Sequence, residues 1–285
     1  MGYKSLAQMP AHRNGPVSSN VRRHQNTTMA PDEHLINTYS GFTKAIFGPT
    51  KYEGVEFLGS GSVIRMEGKF YLFTAGHVLD RATDARPLFF SIGDRLVPIS
   101  GTASNSRTIF PIRRSDDQID LAVVELPDAH NDLLAKTSCL KISNLDVHAL
   151  AVSEIGFLFM GYPISKNRQT VDKLTREIEP FLYVARCWEA DSVAYQKLNL
   201  TKSQNLVLNF NNKRVYSREG EIRAAPALNG LSGAPIWGGT SSGAAVVVAI
   251  LTAYHQGARK CIVSTRISLF YEALLELRHT TRDPQ

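Results

Sequence analysis

Three short segments of this 285-residue chain carry residue types that could together hydrolyse an amide. They are Thr74-Ala75-Gly76-His77-Val78, Asp120-Leu121-Ala122-Val123-Val124 and Gly230-Leu231-Ser232-Gly233-Ala234-Pro235. Such chemistry needs a hydroxyl nucleophile, a base to take its proton and a group to orient the base. Ser232, His77 and Asp120 offer one of each. His77 follows the strand-like run 70–74, and a strand end holds an imidazole rigidly while leaving it within reach of substrate. Asp120 opens the apolar run 121–126, which buries its carboxylate in part and demands a donor, a role that the Nδ1–H of a histidine fills. Ser232 lies between glycines, which let the backbone approach a substrate closely and adopt φ > 0. That turn can aim the amides of Gly230 and Ser232 at one point as an oxyanion hole, each donor there contributing about 3 kcal/mol to transition-state stabilisation. Each segment alone also has a plain reading: a surface histidine, a turn-capping aspartate, a glycine-rich loop. Asp116 and Asp117, which follow Arg113-Arg114-Ser115, suit the turn-capping role better than Asp120 does.

The elements that must position these groups are mostly strands. Runs at 62–66 and 70–74 flank Glu67-Gly68-Lys69, a hairpin signal. Further runs lie at 88–92, 96–99, 121–126, 156–160, 181–187, 206–210, 245–253 and 261–264, with Gly, Pro, Asn and Asp between most of them. Many short strands separated by turns imply a sandwich or barrel rather than a helix-interleaved parallel sheet. Two helices frame them. Asp32 reads as the N-cap of the first, with Leu35, Ile36, Tyr39, Phe42 and Ile46 at helical spacing. The second, over 266–279, places Ile267, Phe270, Leu274 and Leu277 on one face.

Composition is that of an ordinary globular protein, with 43% hydrophobic and 20% charged residues,. The formal charge of +6 is unevenly placed, because Lys4, Arg13, Arg22 and Arg23 lie in 1–31 with no acid. Residues 1–31 therefore read as a flexible basic arm and 32–285 as the domain, whose +2 charge does not indicate a nucleic-acid-binding body,. No apolar run reaches the ~18 residues that a membrane helix needs. Residues 1–31 lack the apolar core of a secretory signal. Three cysteines without a C-x-x-C pair give neither a disulfide framework nor a zinc motif,. Cys139, Cys187 and Cys261 are expected to be small buried hydrophobes in a cytoplasmic protein. Neither a metal nor another cofactor is implied, since the histidines are scattered and no phosphate loop occurs.

The order His77, Asp120, Ser232, with intervals of 43 and 112 residues, resembles the trypsin/chymotrypsin-like serine proteases, closest to their disulfide-free bacterial and viral branches. The similarity spans roughly residues 45–270. It implies an all-β fold of two antiparallel six-stranded barrels, at roughly 45–140 and 150–265, with substrate in the cleft between them. It also implies that His77 acts as general base and then general acid, that Asp120 orients it and that Ser232 attacks the carbonyl. Two departures stand out. Leu231 replaces the aspartate that animal members carry before the nucleophile, so activation by a newly formed N-terminus is not expected. Ala234 replaces the second glycine of the usual Gly-Asp-Ser-Gly-Gly-Pro.

The family pattern places Pro226, Ala253 and Val263 near the pocket for the residue before the scissile bond, and Thr252 near the wall that pairs with substrate backbone. The stretch 222–271 contains no Asp or Glu, which argues against selection of Lys or Arg and for a small or apolar side chain. His255 offers a second option, recognition of an acidic side chain. The expected activity is that of a serine endopeptidase acting on protein or peptide. The alternative is a catalytically silent or regulated peptide-binding module of a larger assembly, with a regulatory protein partner.

Overall fold

The computed structural model describes residues 33–50, 54–83, 86–93, 95–106, 116–149, 151–152, 156–167, 180–213, 215–216, 222–256 and 260–282. The basic arm, Asp32 and Arg113-Arg114-Ser115 lie outside the described residues. The chain is mostly β, folded as one six-stranded barrel that closes on itself, a second sheet and a few helices.

The first sheet comes from the N-terminal half. Its strands are β1 (Thr43–Pro49), β2 (Val55–Met66), β3 (Lys69–Ala75), β4 (Leu88–Ile92), β5 (Arg95–Ile99), β6 (Ala103–Asn105), β7 (Leu121–Glu125) and β8 (Leu140–Lys141). They run in the order β5-β4-β1-β2-β3-β7-β6, with β8 on β2. The β2–β3 hairpin forms where its turn signal lies. Met66 pairs with Lys69, and the two connecting residues, Glu67 at φ 49° and Gly68 at φ 84°, have the backbone that a two-residue hairpin needs,. Among the described residues no ladder joins β5 to β6, so closure of this sheet is not part of the observed pairing. One of its faces nevertheless packs into a core that includes Ile46, Val63, Phe70, Leu72, Phe90 and Val124.

The second unit uses β9 (Ala151–Val152), β10 (Phe157–Gly161), β11 (Tyr183–Glu189), β12 (Asn205–Asn209), β15 (Pro235–Thr240), β16 (Ala245–His255) and β17 (Cys261–Arg266); a separate pair, β13 (Val215–Tyr216) with β14 (Ile222–Arg223), stands apart. The ring β10-β11-β12-β17-β16-β15 is closed by pairing of β10 with β15. Phe157, Phe159, Leu206, Leu208, Ile236 and Val248 fill it.

Strand alternation explains how the two sheets join. In β3, Phe70 and Leu72 face the first core, whereas Tyr71 and Phe73 face a second cluster shared with Leu158 and Met160 of β10 and Trp237 of β15. Both faces of this strand are therefore apolar, and its end lies against the other sheet. Helix α5 (Ile267–Arg282) caps that shared cluster through Ile267, Phe270, Leu274 and Leu277. Phe270 stacks on Phe73 at 5.3 Å, and Arg278 forms a double hydrogen bond with Glu67 at the hairpin turn.

The first helix is shorter than its spacing suggests. Helix α1 (Glu33–Tyr39) passes through a short 3₁₀ turn at Ser40–Phe42 into β1, so Ile46 is a strand residue paired with Gly59 and Phe90. Gly41 sits in the 3₁₀ turn, and the run 43–47 is buried on both faces although it includes Thr43 and Lys44, so its sequence carries no clear strand period,. Three further helices are short: α2 (Gly76–Leu79), α3 (Asn131–Leu134) and α4 (Ser192–Leu198). Of the cysteines, Cys187 and Cys261 are buried and Cys139 is half-buried, and none is in a disulfide; burial pushes the Cys187 thiol up, keeping it protonated. No helix among the described residues is long and apolar enough to cross a membrane.

Candidate active site

Strand β3 ends at Ala75 and the chain turns at once into α2, whose second residue is His77. Asp120 stands one residue before β7, the strand paired with β3, so Ala75 lies opposite Leu121 and the two ends meet. The contact is threefold. Asp120 Oδ2 lies 2.6 Å from His77 Nδ1, Asp120 Oδ1 accepts the His77 backbone N–H at 2.8 Å, and the Asp120 carbonyl accepts the Gly76 N–H at 2.8 Å. One carboxylate thus fixes both the ring and the backbone of the histidine. The His77 side chain is 35% exposed and that of Asp120 12%, so the ring reaches the surface while its partner is sheltered. Asp120 has φ 48°, a left-handed backbone that non-glycine residues adopt at a cost unless the surroundings enforce it,. Here Asp117 enforces it, accepting the backbone N–H groups of Ile119 and Asp120 on Oδ1. Ser106 donates to the other oxygen of Asp117 and accepts the Leu121 N–H.

The turn containing Ser232 precedes β15 of the barrel. Gly230 (φ 93°) and Gly233 (φ 90°) both have left-handed backbones. At Gly233 a side chain would also collide, since a Cβ would fall 1.8 Å from the Ser60 carbonyl oxygen. Of four successive amides, those of Leu231 and Gly233 donate to the carbonyls of Leu228 and Leu251. The amides of Gly230 and Ser232, the expected oxyanion donors, have no acceptor among the described residues. Leu231 is fully buried in the barrel core. The Ala234 methyl is accommodated because Gly161 lies opposite, where a Cβ would come within 2.7 Å of it.

Each half holds the other's loop. Ser60 of β2 donates its N–H to the Ser232 carbonyl at 2.8 Å and its hydroxyl to the Gly230 carbonyl at 3.0 Å, and the same hydroxyl accepts the Tyr162 N–H at 3.0 Å. Gly59, the preceding residue, packs closely on the Val78 side chain and the Ser232 carbonyl, so the serine turn adjoins the histidine segment. Conversely, Asn205 of β12 donates to the Gln118 carbonyl at 3.0 Å, and Thr265 of β17 donates to that of Ile119. Tyr162 also donates its hydroxyl to the Thr43 carbonyl at 3.3 Å, and burial lifts that phenol to about 12, so it remains a donor at neutral pH. Neither Ser60 nor Asp117 is visible as a site residue in the sequence, because a single Ser or Asp carries no local pattern. Only the Gly-Ser-Gly setting of Ser60, at a strand crossing, hints at close approach.

Ser60→Ala leaves the Gly230 carbonyl and the Tyr162 N–H without partners at a fully buried position. The expected cost is about 1–3 kcal/mol of stability. We expect kcat to fall roughly ten-fold with little change in KM, because the turn loses its fixed position. Urea unfolding and steady-state kinetics check both, and unchanged kcat would rule out a positioning role.

The Ser232 hydroxyl donates to the Thr252 carbonyl at 3.4 Å, and no hydrogen bond joins it to His77. Thr252 is the extra residue of a bulge in β16, where Leu251 pairs with Ser264 and Ala253 with Val263,. Its hydroxyl donates to the Val263 carbonyl at 3.2 Å. Ala253 and Val263 share a cluster with Tyr195 and Val207. Pro226 is half-buried ahead of the serine turn, and His255 is exposed at the end of β16. Among the described residues, no group of three His, Cys, Asp or Glu side chains could hold a metal ion.

No family model and no curated protein matches this chain. The comparison with solved structures does give a match. The chain is similar to the crystal structure of the serine endoprotease from Yersinia pestis, with a TM-score of 0.51 and 13% sequence identity over 87% of this chain and 67% of that one. The two share a fold. At that identity the likeness concerns the backbone, and the chemistry must be argued from the residues.

Proposed function

We propose that the protein is a serine endopeptidase of the trypsin/chymotrypsin type, working in the groove where its two β units meet, with the first sheet as the counterpart of the first barrel. The observation that carries this reading is the double grip of Asp120 on His77, through ring Nδ1 and backbone N–H. A histidine held so presents Nε2, its other nitrogen, for proton transfer. Ser232 turns from the Thr252 carbonyl toward that nitrogen, loses its proton to it and attacks the substrate carbonyl. The oxyanion is stabilised by the free amides of Gly230 and Ser232. His77 then gives the proton to the leaving amine, and water resolves the acyl-enzyme by the reverse sequence. Asp120 stabilises the imidazolium in both halves. Pro226, Ala253 and Val263, with no acid between 222 and 271, favour a small or apolar residue before the scissile bond.

The bond from Ser232 to Thr252 favours a second reading, in which the chain rests silent until a partner or substrate reorients the hydroxyl. Digestion of a peptide library by wild type and by Ser232→Ala separates the two. The enzyme reading expects cleavage by wild type that the variant loses by at least ~10³-fold. Equal patterns from both proteins would refute it, and binding of peptides without cleavage by either would favour the silent module.

A further inference from the structure

A pocket of about 280 Å³ lies beside the site on the side of the first sheet, lined by Gly48, Glu56, Leu58, Arg81, Arg86 and Leu88 among its residues. Its apolar walls, Leu58 and Leu88, are buried, whereas Arg81, Arg86 and Glu56 are exposed. Two links tie it to the catalytic groups. Leu58 precedes Gly59, which packs on both Val78 and the Ser232 carbonyl. Arg81 follows His77 by four residues, and its N–H donates to the Val78 carbonyl at 3.3 Å. Among the described residues, none of the second barrel lines the pocket.

Its charge is unbalanced. Among the described residues two guanidinium groups face one carboxylate, and neither arginine forms an ion pair or a side-chain hydrogen bond there. Guanidinium groups pair best with carboxylates and phosphates, in a forked geometry. The direction of the reaction supplies the rest. In the proposed mechanism the acyl half of the substrate is bonded to Ser232, in the turn before β15 of the second barrel, whereas the leaving amine takes its proton from His77, which follows β3 of the first sheet,. Residues after the scissile bond therefore pass His77 on the side of the first sheet, toward Arg81.

We propose that this pocket binds a carboxylate of the leaving-group peptide, so that cleavage is favoured by an acidic residue within the first three positions after the scissile bond. The proposal rests on the reading of Ser232 as nucleophile. The methylene groups of a glutamate lie on Leu58 and Leu88 while its carboxylate meets Arg81 and Arg86.

The test uses full-length protein and quenched fluorescent peptides that share one acyl half. One set has an amidated C-terminus and Glu or Gln at each of the three positions in turn. A second set has no acidic side chain and ends in a free carboxylate within those positions. At low salt, kcat/KM should be about five-fold higher for Glu than for Gln at one position, as expected for a partly exposed ion pair, and the preference should shrink at high salt. In the double variant Arg81→Ala/Arg86→Ala the ratio should approach one. A gain confined to the free C-terminal carboxylate would support the same pocket and assign its ligand to the end of the leaving peptide. Turnover with a ratio of one in wild type, or a ratio unchanged in the double variant, would overturn the proposal alone. Absence of turnover for every peptide, together with no covalent labelling of Ser232, would remove the nucleophile reading and this proposal with it.

Discussion

Asp120→Asn is expected to lower kcat/KM by about 10⁴ while the fold persists. The asparagine still fits the left-handed backbone, because Asn tolerates that region as Asp does, and Asp117 still holds the backbone N–H groups of residues 119 and 120,. What changes is the acceptor. With the carboxylate present, one oxygen takes the His77 N–H and the other faces Nδ1, so Nδ1 carries the proton and Nε2 is free to act as base. An amide at 120 can turn its NH₂ toward Nδ1 and trap the opposite tautomer. In the proposed mechanism it also removes the negative charge that stabilises the imidazolium. Steady-state kinetics with a matched circular dichroism spectrum decide the matter. Wild-type turnover in the variant would remove Asp120 from the mechanism.

Gly233→Ala is the second large effect, and it acts through the backbone. Residue 233 has φ 90°, and an added Cβ would meet the Ser60 carbonyl oxygen at 1.8 Å and the Thr74 hydroxyl at 2.4 Å. Neither can withdraw cheaply. The Ser60 carbonyl also accepts from Thr74, and Ser60 holds the serine turn through two other groups. The left-handed conformation costs about 1–2 kcal/mol for alanine, and the enforced shift about 1–3 kcal/mol more. Displacement of Ser232 by a fraction of an ångström should reduce kcat/KM by about 10² or more. Gly68→Ala provides the control, since Gly68 has φ 84° but open space around its added Cβ. It should show the conformational cost in urea unfolding with no loss of turnover. Equal effects from both substitutions would mean that the Ser60 contact is unimportant.

What could be read from the sequence was what depends on neighbours in the chain. The hairpin at 66–69 follows from two turn residues between alternating apolar runs, and helix α5 follows from Ile267, Phe270, Leu274 and Leu277 on one face. Overrun of the first helix to Ile46 has a local cause as well. The residues of β1 are buried on both faces, which erases the period-two signal that would have marked a strand,. The short strands β6, β8 and β9 have two or three residues each, too few for any period.

The site divides in the same way. A histidine after a strand, an aspartate before one and a serine between glycines are local patterns. The clasp that holds them is not. Ser60 lies 170 residues from Gly230 and Asn205 lies 87 from Gln118, and each belongs to the opposite half of the fold from the loop it secures. Such long-range polar contacts depend on how two sheets pack, and nothing near Ser60 or Asn205 in the chain announces them. The cationic pocket is similar. Arg81 and Arg86 follow β3, while Leu58 and Glu56 belong to β2, and only folding brings them together.

The most direct test of the central claim is covalent labelling by a fluorophosphonate, which reacts with an activated serine and not with an idle one. Wild type should be labelled on Ser232, located by mass spectrometry of the digested protein. Labelling should vanish in Ser232→Ala and fall sharply in His77→Ala and Asp120→Asn, since the hydroxyl then lacks its base or the base lacks its orientation. Labelling that persists undiminished without His77, or that maps to another residue, would contradict the account.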